Sequence, residues 1–224
     1  MTAGKASPRP ARRGGRQSYH HGMLRDALIR AAVEILSERG AEGFTLREAA
    51  RRAGVSAGAP AHHFGSAAGL LTEVVIAGFE DLTQALRAAA GTAASPAARL
   101  RAQGMSYVRF ALAHPGRFQL MFRHDLLLAG DERLGHAGKA AKAELEATIR
   151  AYITDRDGPG ADERSVRAAL LGAWSAVHGF AHLALDGKFT AMAQPRSISG
   201  FVSDELPDVL LAFWPDREDE ATGR

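Results

Sequence analysis

Apolar residues recur along this chain every three or four positions, and no stretch alternates long enough to predict a strand. Leu24, Leu28, Ala31, Ile35 and Leu36 form the first stripe, which predicts a helix from about Gly22 to Arg39, ended by Gly40. Leu46, Ala49, Ala50 and Ala53 predict a second, short helix. Thr45 stands at its cap, and Glu48 sits at the capping-box spacing. Gly54 stops that helix, because glycine enters the left-handed conformation at little cost. Ser56 then reads as the cap of a third helix reaching about His62. Ser66 caps a fourth, from Ala67 to Ala89, carried by Leu70, Leu71, Val74, Val75, Phe79, Leu82 and Leu86. Ser95 and Pro96 open a fifth, which runs to Ala113 with Leu100, Met105, Val108 and Leu112 inward. His114-Pro115-Gly116 breaks it, and a short sixth helix holds Phe118, Leu120, Met121 and Phe122. A seventh spans about Gly138 to Ile153. Asp162 caps an eighth, in which Val166, Leu170, Trp174, Val177, Ala181 and Leu185 recur at helical spacing. The last runs from Ile198 to Trp214, where Pro207 should kink or restart it. The fold class is all-α, with about nine helices.

Two short helices joined by a tight turn over residues 45–64 make a helix-turn-helix, which lays its second helix in the DNA major groove. Charge placement supports that reading over plain packing. Residues 1–64 hold 11 Lys and Arg against 5 Asp and Glu, a net of +6, while the rest of the chain nets −3. A basic N-terminal third on an otherwise acidic protein suits a polyanionic partner. Residues 1–18 carry Lys5, Arg9, Arg12, Arg13 and Arg16 without an acid. They are expected to form a disordered basic tail, either a solvated leader or an arm that follows phosphates. The chain has no cysteine, so disulfides and thiolate chemistry are excluded. No secretory h-region follows the basic start, and no unbroken apolar run approaches the roughly 20 residues that span a bilayer. A cytoplasmic protein without membrane association is expected. There is no phosphate-binding glycine loop, nucleophile elbow or HExxH motif, so an enzyme is not the expected reading. No residue set calls for a cofactor or a metal.

Thr45-Leu46-Arg47, Ala49-Ala50, Ala53-Gly54-Val55-Ser56, Gly58, His63-Phe64 and Leu70-Leu71 resemble the DNA-binding segment of the TetR family of bacterial transcriptional regulators. The resemblance is specific over roughly residues 19–82. The SYHHG opening, the APAHHF segment and the later WSAVHG (174–179) further resemble a subgroup with a Trp-His-Gly motif in its C-terminal domain. The resemblance implies four parts: the tail 1–18, a DNA-binding domain 19–66, a helical ligand-binding and dimerisation domain 67–214, and a polar tail 215–224. It implies a homodimer through the last two long helices, a near-palindromic double-stranded DNA operator and a small-molecule effector. It also implies that Ser56, Ala57, Gly58, Ala59, His62 and His63 approach the bases while Thr45 and Arg47 hold phosphates. His63 reads first as a packing residue and only second as a DNA contact. Two positions depart from the family: Ala61 replaces a common tyrosine and Ala67 a common lysine, both phosphate contacts. Their loss should weaken DNA binding and flatten its salt dependence. A small-molecule sensor with vestigial DNA binding is the alternative these two residues keep open.

In the C-terminal part, Trp174, His178 and His182 share one helix face. The two histidines have a spacing that can chelate a metal, but no third ligand accompanies them. The blander reading is a buried aromatic face with satisfied histidines. With Met105, Phe110, Phe118, Met121 and Phe122, this face could instead line a ligand pocket.

Overall fold

The computed structural model describes residues 14–160 and 162–216. Ten α-helices and two 3₁₀ turns make up the described chain, with no strand among the described residues. The helices are α1 (Gly14–Arg39), α2 (Leu46–Arg52), α3 (Ala59–Phe64), α4 (Ala67–Gly91), α5 (Pro96–Ala113), α6 (Pro115–Leu120), α7 (Glu132–Asp157), α8 (Glu163–Leu185), α9 (Thr190–Ala193) and α10 (Ile198–Phe213). α1 packs against α2, α4 and α6. α4 packs against α5 and α7, and α5 against α8 and α10. One apolar core runs through both parts, from Leu28 and Ile35 on α1 to Leu206 and Leu210 on α10.

Most predicted starts are set by side chains that satisfy the free amides of a first turn. Thr45 accepts from Glu48 N, Ser66 from Gly69 N, Ser95 from Ala98 N, and Asp162 from Arg164 N and Ser165 N. Gly54 has φ 68°, and Val55 N and Gly54 N bond back to the Ala50 and Arg51 carbonyls, closing α2 in a Schellman motif.

Several expectations are corrected. α1 begins at Gly14, so residues 14–18, assigned to the tail, are helical; the remainder of that tail lies outside the described residues. Ser56 does not cap α3, which starts at Ala59. The cause is Pro60, which has no amide hydrogen to give the Ser56 carbonyl four residues back, and Ala59 N takes that carbonyl instead, at 3.0 Å. α7 begins six residues before Gly138, because Asp131 accepts from Arg133 N and Leu134 N. A one-turn helix, α9, occupies an expected loop and raises the number from nine to ten. α10 passes through Pro207 without restarting. Pro207 and Ser203, whose carbonyl loses its partner, both lie on the exposed side, where water replaces the bond. On α5 the inward set is Leu100, Gln103, Gly104, Tyr107, Val108, Phe110 and Ala111, while Met105 and Leu112 are only half-buried. The polar tail is anchored at its start: Arg101 donates to the Trp214 carbonyl and to Asp216, each at 2.6 Å, and Ser95 donates to Asp216.

By length and composition α8 could cross a membrane, with a mean hydropathy of 1.3 over its most apolar window. It instead buries Val166, Leu170, Ala173, Val177, Ala181 and Ala184 against α5 and α7.

Candidate DNA-binding face and ligand cavity

Thr45, Arg47 and Ala57 come together around a shallow open concavity shared by α2 and the turn before α3, with Glu48 and Arg51 on its wall. Ser56, Ala57 and Gly58 are exposed in that turn, Ala59 is half-buried, and Pro60 is buried. His62 is exposed. His63 is half-buried and touches both the His62 and Phe64 rings, so packing and surface contact are both open to it.

The arginines of α2 divide into two kinds. Arg52 reaches Glu38 on α1 at 2.6 Å and Glu48 at 3.0 Å, tying the two helices together. Arg51 makes a two-pronged bond to Glu48. Those guanidiniums, Arg51 first, hold the Glu48 carboxyl down at about 2. Glu48 is thus committed to arginines; among the described residues no bond from its side chain to the Thr45 amide completes a capping box. Arg47 is exposed and pairs with no carboxylate among the described residues. Its charge is therefore the one on α2 not already spent within the protein. Ala61 and Ala67, at the two departures from the family pattern, are both exposed.

In the C-terminal part, α4, α5, α7 and α8 enclose an apolar cavity of about 290 Å³. Of the eight residues proposed from sequence, Met121, Phe122 and Trp174 line it. Phe118 does not: it is fully buried behind the wall, its ring 5.5 Å from Tyr107 and 5.3 Å from Phe122. His178 and His182 lie against Phe118, with their own rings 4.5 Å apart, and neither lines the cavity. Phe110 is buried beside His114, and Met105 is half-buried on another side of α5.

One histidine of the cluster has a hydrogen-bond partner among the described residues. His178 Nδ1 and the Tyr107 hydroxyl are 2.8 Å apart. Burial pushes the Tyr107 hydroxyl up, keeping it protonated, while burial and then the neighbouring His182 push His178 down, keeping it neutral. His178 thus has its Nδ1 engaged by a phenol, whereas the His182 ring makes ring contacts and no hydrogen bond among the described residues, and Trp174 on the same face is 40% exposed.

The sequence reading missed most of the wall, including Leu100, Gln103, Tyr107, Lys139, Lys142 and Trp214. Gln103 is the buried polar member. Its Nε2 donates to the Glu144 carbonyl at 3.4 Å, and its Oε1 has no partner among the described residues. Its signal was available, since Leu100, Gln103 and Tyr107 follow helical spacing.

The cavity and the helix-turn-helix part meet at α6. Met121 and Phe122 follow directly on α6, and Gly116 within it rests on the α1 backbone at Leu36. Arg117 on α6 pairs with Asp81 on α4 at 2.7 Å, and Arg123 joins Glu42, in the 3₁₀ turn after α1, at 3.2 Å.

Two family models match the chain. Residues 28–74 match the model of bacterial regulatory proteins of the tetR family, and residues 100–205 match a tetracyclin repressor-like C-terminal domain. The chain is 31% identical to a structure of a protein of unknown function from Rhodococcus sp. RHA1, covering 89% of this chain and 100% of that one, with a TM-score of 0.68. It is 28% identical over 167 residues to an uncharacterised HTH-type transcriptional regulator, Rv0681, from Mycobacterium tuberculosis, covering 74% of this chain and 72% of that protein. The fold is also that of the TetR family transcriptional regulator PfmR from Thermus thermophilus, at 23% identity and a TM-score of 0.62, over 84% of this chain and 95% of that one.

Proposed function

The chain belongs to the TetR family of bacterial transcriptional regulators and carries its helix-turn-helix DNA-binding domain, and from that premise we propose that it is a homodimeric, cytoplasmic repressor released from a near-palindromic operator by a small molecule. The effector enters the cavity behind α6. The observation that carries this reading is the continuity from cavity wall to DNA-binding part: Met121 and Phe122 line the cavity, and Gly116, a few residues earlier, sits on the α1 backbone. A ligand that moves Met121 and Phe122 must move α6, and α1 moves with it. Release requires the ligand to bind the DNA-incompetent arrangement more tightly than the competent one. The resemblance to the Trp-His-Gly subgroup rests on the SYHHG opening, the APAHHF segment and WSAVHG, of which Trp174 is on the cavity wall and His178 lies behind it.

On DNA, Arg47 and Thr45 hold phosphates, while the turn Ser56–Gly58 with Ala59, His62 and His63 faces the base edges. Gly58 and Ala59 offer no hydrogen-bonding side chain, so sequence choice falls to Ser56, His62, nearby arginines, thymine methyl contacts or DNA shape. Replacing Arg47 by alanine should weaken binding to every DNA alike and lower the slope of log K against log salt by about 1, as expected for one lost phosphate contact. Titrations at several salt concentrations check this; a change confined to one operator base would assign Arg47 to base reading instead.

Dimerisation uses the outward face of α8 with α10. Leu171 (54% exposed) and Leu183 on α8 and Leu211 and Phe213 on α10 are exposed apolar side chains that a partner would cover. Leu171→Glu should shift the protein to monomer in sedimentation velocity, because an unpartnered carboxylate buried in that interface costs several kcal/mol. A dimer of unchanged strength would move the interface elsewhere.

Selection of genomic fragments on the immobilised protein, followed by footprinting, tests the function as a whole. Recovery of a site with two related half-sites spaced for successive major grooves is expected. Recovery of no preferred sequence from a protein that still binds small molecules would favour the second reading, a sensor with vestigial DNA binding, to which the exposed Ala61 and Ala67 point.

A further inference from the structure

The residues lining the cavity range from buried to exposed. Its interior is apolar and aromatic apart from Gln103, with Leu100, Tyr107, Met121, Val177 and Trp214 buried. The lining residues that reach solvent, and so mark its mouth, are His124, Lys139, Lys142 and Trp174. Lys139 and Lys142 lie one turn apart on α7, on the same side of the helix. Neither forms an ion pair among the described residues, although the arginines around them do: Arg87 takes Glu144, and Arg133 takes Glu73 and Asp131. Among the described residues no aspartate or glutamate lines the cavity.

From this arrangement we infer that the effector is an amphipathic anion, an apolar body inside the cavity with a single carboxylate held at the mouth by Lys139 and Lys142. The inference rests on the cavity being the effector site. A wall without a carboxylate gives an ammonium no counter-charge, and the two lysines repel it. A neutral apolar molecule would fill the interior but leave two cations at its open end unanswered. The small volume, about 290 Å³, suits a medium-length chain or two fused rings, with the head outside the apolar part. Lysine ammoniums at a solvent-exposed mouth act as screened point charges, so the head-group preference they give is modest and salt-sensitive.

The test uses three probes with the same ten-carbon chain: decanoate, decanol and decyltrimethylammonium. Each displaces the neutral dye N-phenyl-1-naphthylamine from the full-length protein at low salt. Decanoate should bind three- to tenfold tighter than decanol, and the cation weakest, with the decanoate advantage shrinking as salt rises. In the double variant Lys139→Gln, Lys142→Gln the ratio of decanoate to decanol should fall close to one, a selective loss that a folding defect, which weakens both probes alike, would not produce. Equal binding of decanoate and decanol by the parent protein, or an unchanged ratio in the double variant, overturns the inference and leaves the cavity as a ligand site. Failure of all three probes and of the dye to bind overturns both the inference and the cavity reading beneath it, without touching DNA binding.

Discussion

Phe118→Ala should remove about 3–5 kcal/mol of stability, the largest single-residue loss expected in this protein. The ring is fully buried, and it touches Tyr107, Phe122, His178 and His182, with centroids between 5.3 and 5.7 Å away. Truncation forfeits the ring's transfer free energy and leaves a void bounded by other aromatic rings, which collapse poorly onto it. A domain is stable by only about 5–15 kcal/mol, so the loss is a large fraction of the total. At roughly 2–4 °C per kcal/mol for a chain of this length, the melting temperature should fall by roughly 6 to 20 °C. Denaturant and thermal unfolding check this, with Phe118→Leu as the milder partner. A loss under about 1 kcal/mol would mean that Phe118 does not hold the wall behind the cavity.

Gly116→Ala should be the most disruptive change to communication between the two parts. A Cβ at this position would lie 2.0 Å from the Leu36 carbonyl oxygen and 2.5 Å from its carbon. Both atoms are backbone, so no rotamer change relieves the overlap, and α6 must lift away from α1. Overpacking of this kind costs about 1–3 kcal/mol. DNA affinity should fall, and what remains should respond less to cavity ligands, because the contact that couples α6 to α1 is broken. Gly135→Ala makes the comparison. That glycine sits in α7 with nothing within 4 Å of its added Cβ, and the substitution should stabilise by up to about 1 kcal/mol through helix propensity alone. Opposite signs from the two substitutions would separate close approach from propensity. A Gly116→Ala protein that binds DNA and responds to ligand like its parent would remove α6 from the proposed route of release.

What was legible in the sequence was local. Thr45, Ser66, Ser95 and Asp162 act within three residues, and each caps the helix assigned to it. The all-helical class followed from periodicity, and the helix-turn-helix from two short stripes across Gly54. Ser56 was misread because a serine before a small-residue run looks like a cap; Pro60 overrides it by denying the first turn a hydrogen bond. The start of α7 was hidden by Gly135 and Gly138, which weaken its pattern, although Asp131 carried the signal. The cavity was only partly readable. Met121, Phe122 and Trp174 stand out as soft or aromatic residues, and Gln103 shares helical spacing with Leu100 and Tyr107, whereas Lys139 and Lys142 have ordinary solvent-facing chemistry and line the cavity only because α7 converges on α5 there. Arg101 meeting Asp216, over a hundred residues away, leaves no trace in local pattern.

The central claim, specific DNA recognition by the N-terminal part, is tested most directly by fluorescence-anisotropy titration of the full-length protein. The DNAs are the intergenic sequence upstream of its own coding region and a scrambled duplex of the same length, each at two salt concentrations. Tighter binding to the native sequence that weakens with salt is the predicted result. Equal, weak binding to both duplexes, repeated with the fragments recovered by genomic selection, would contradict it.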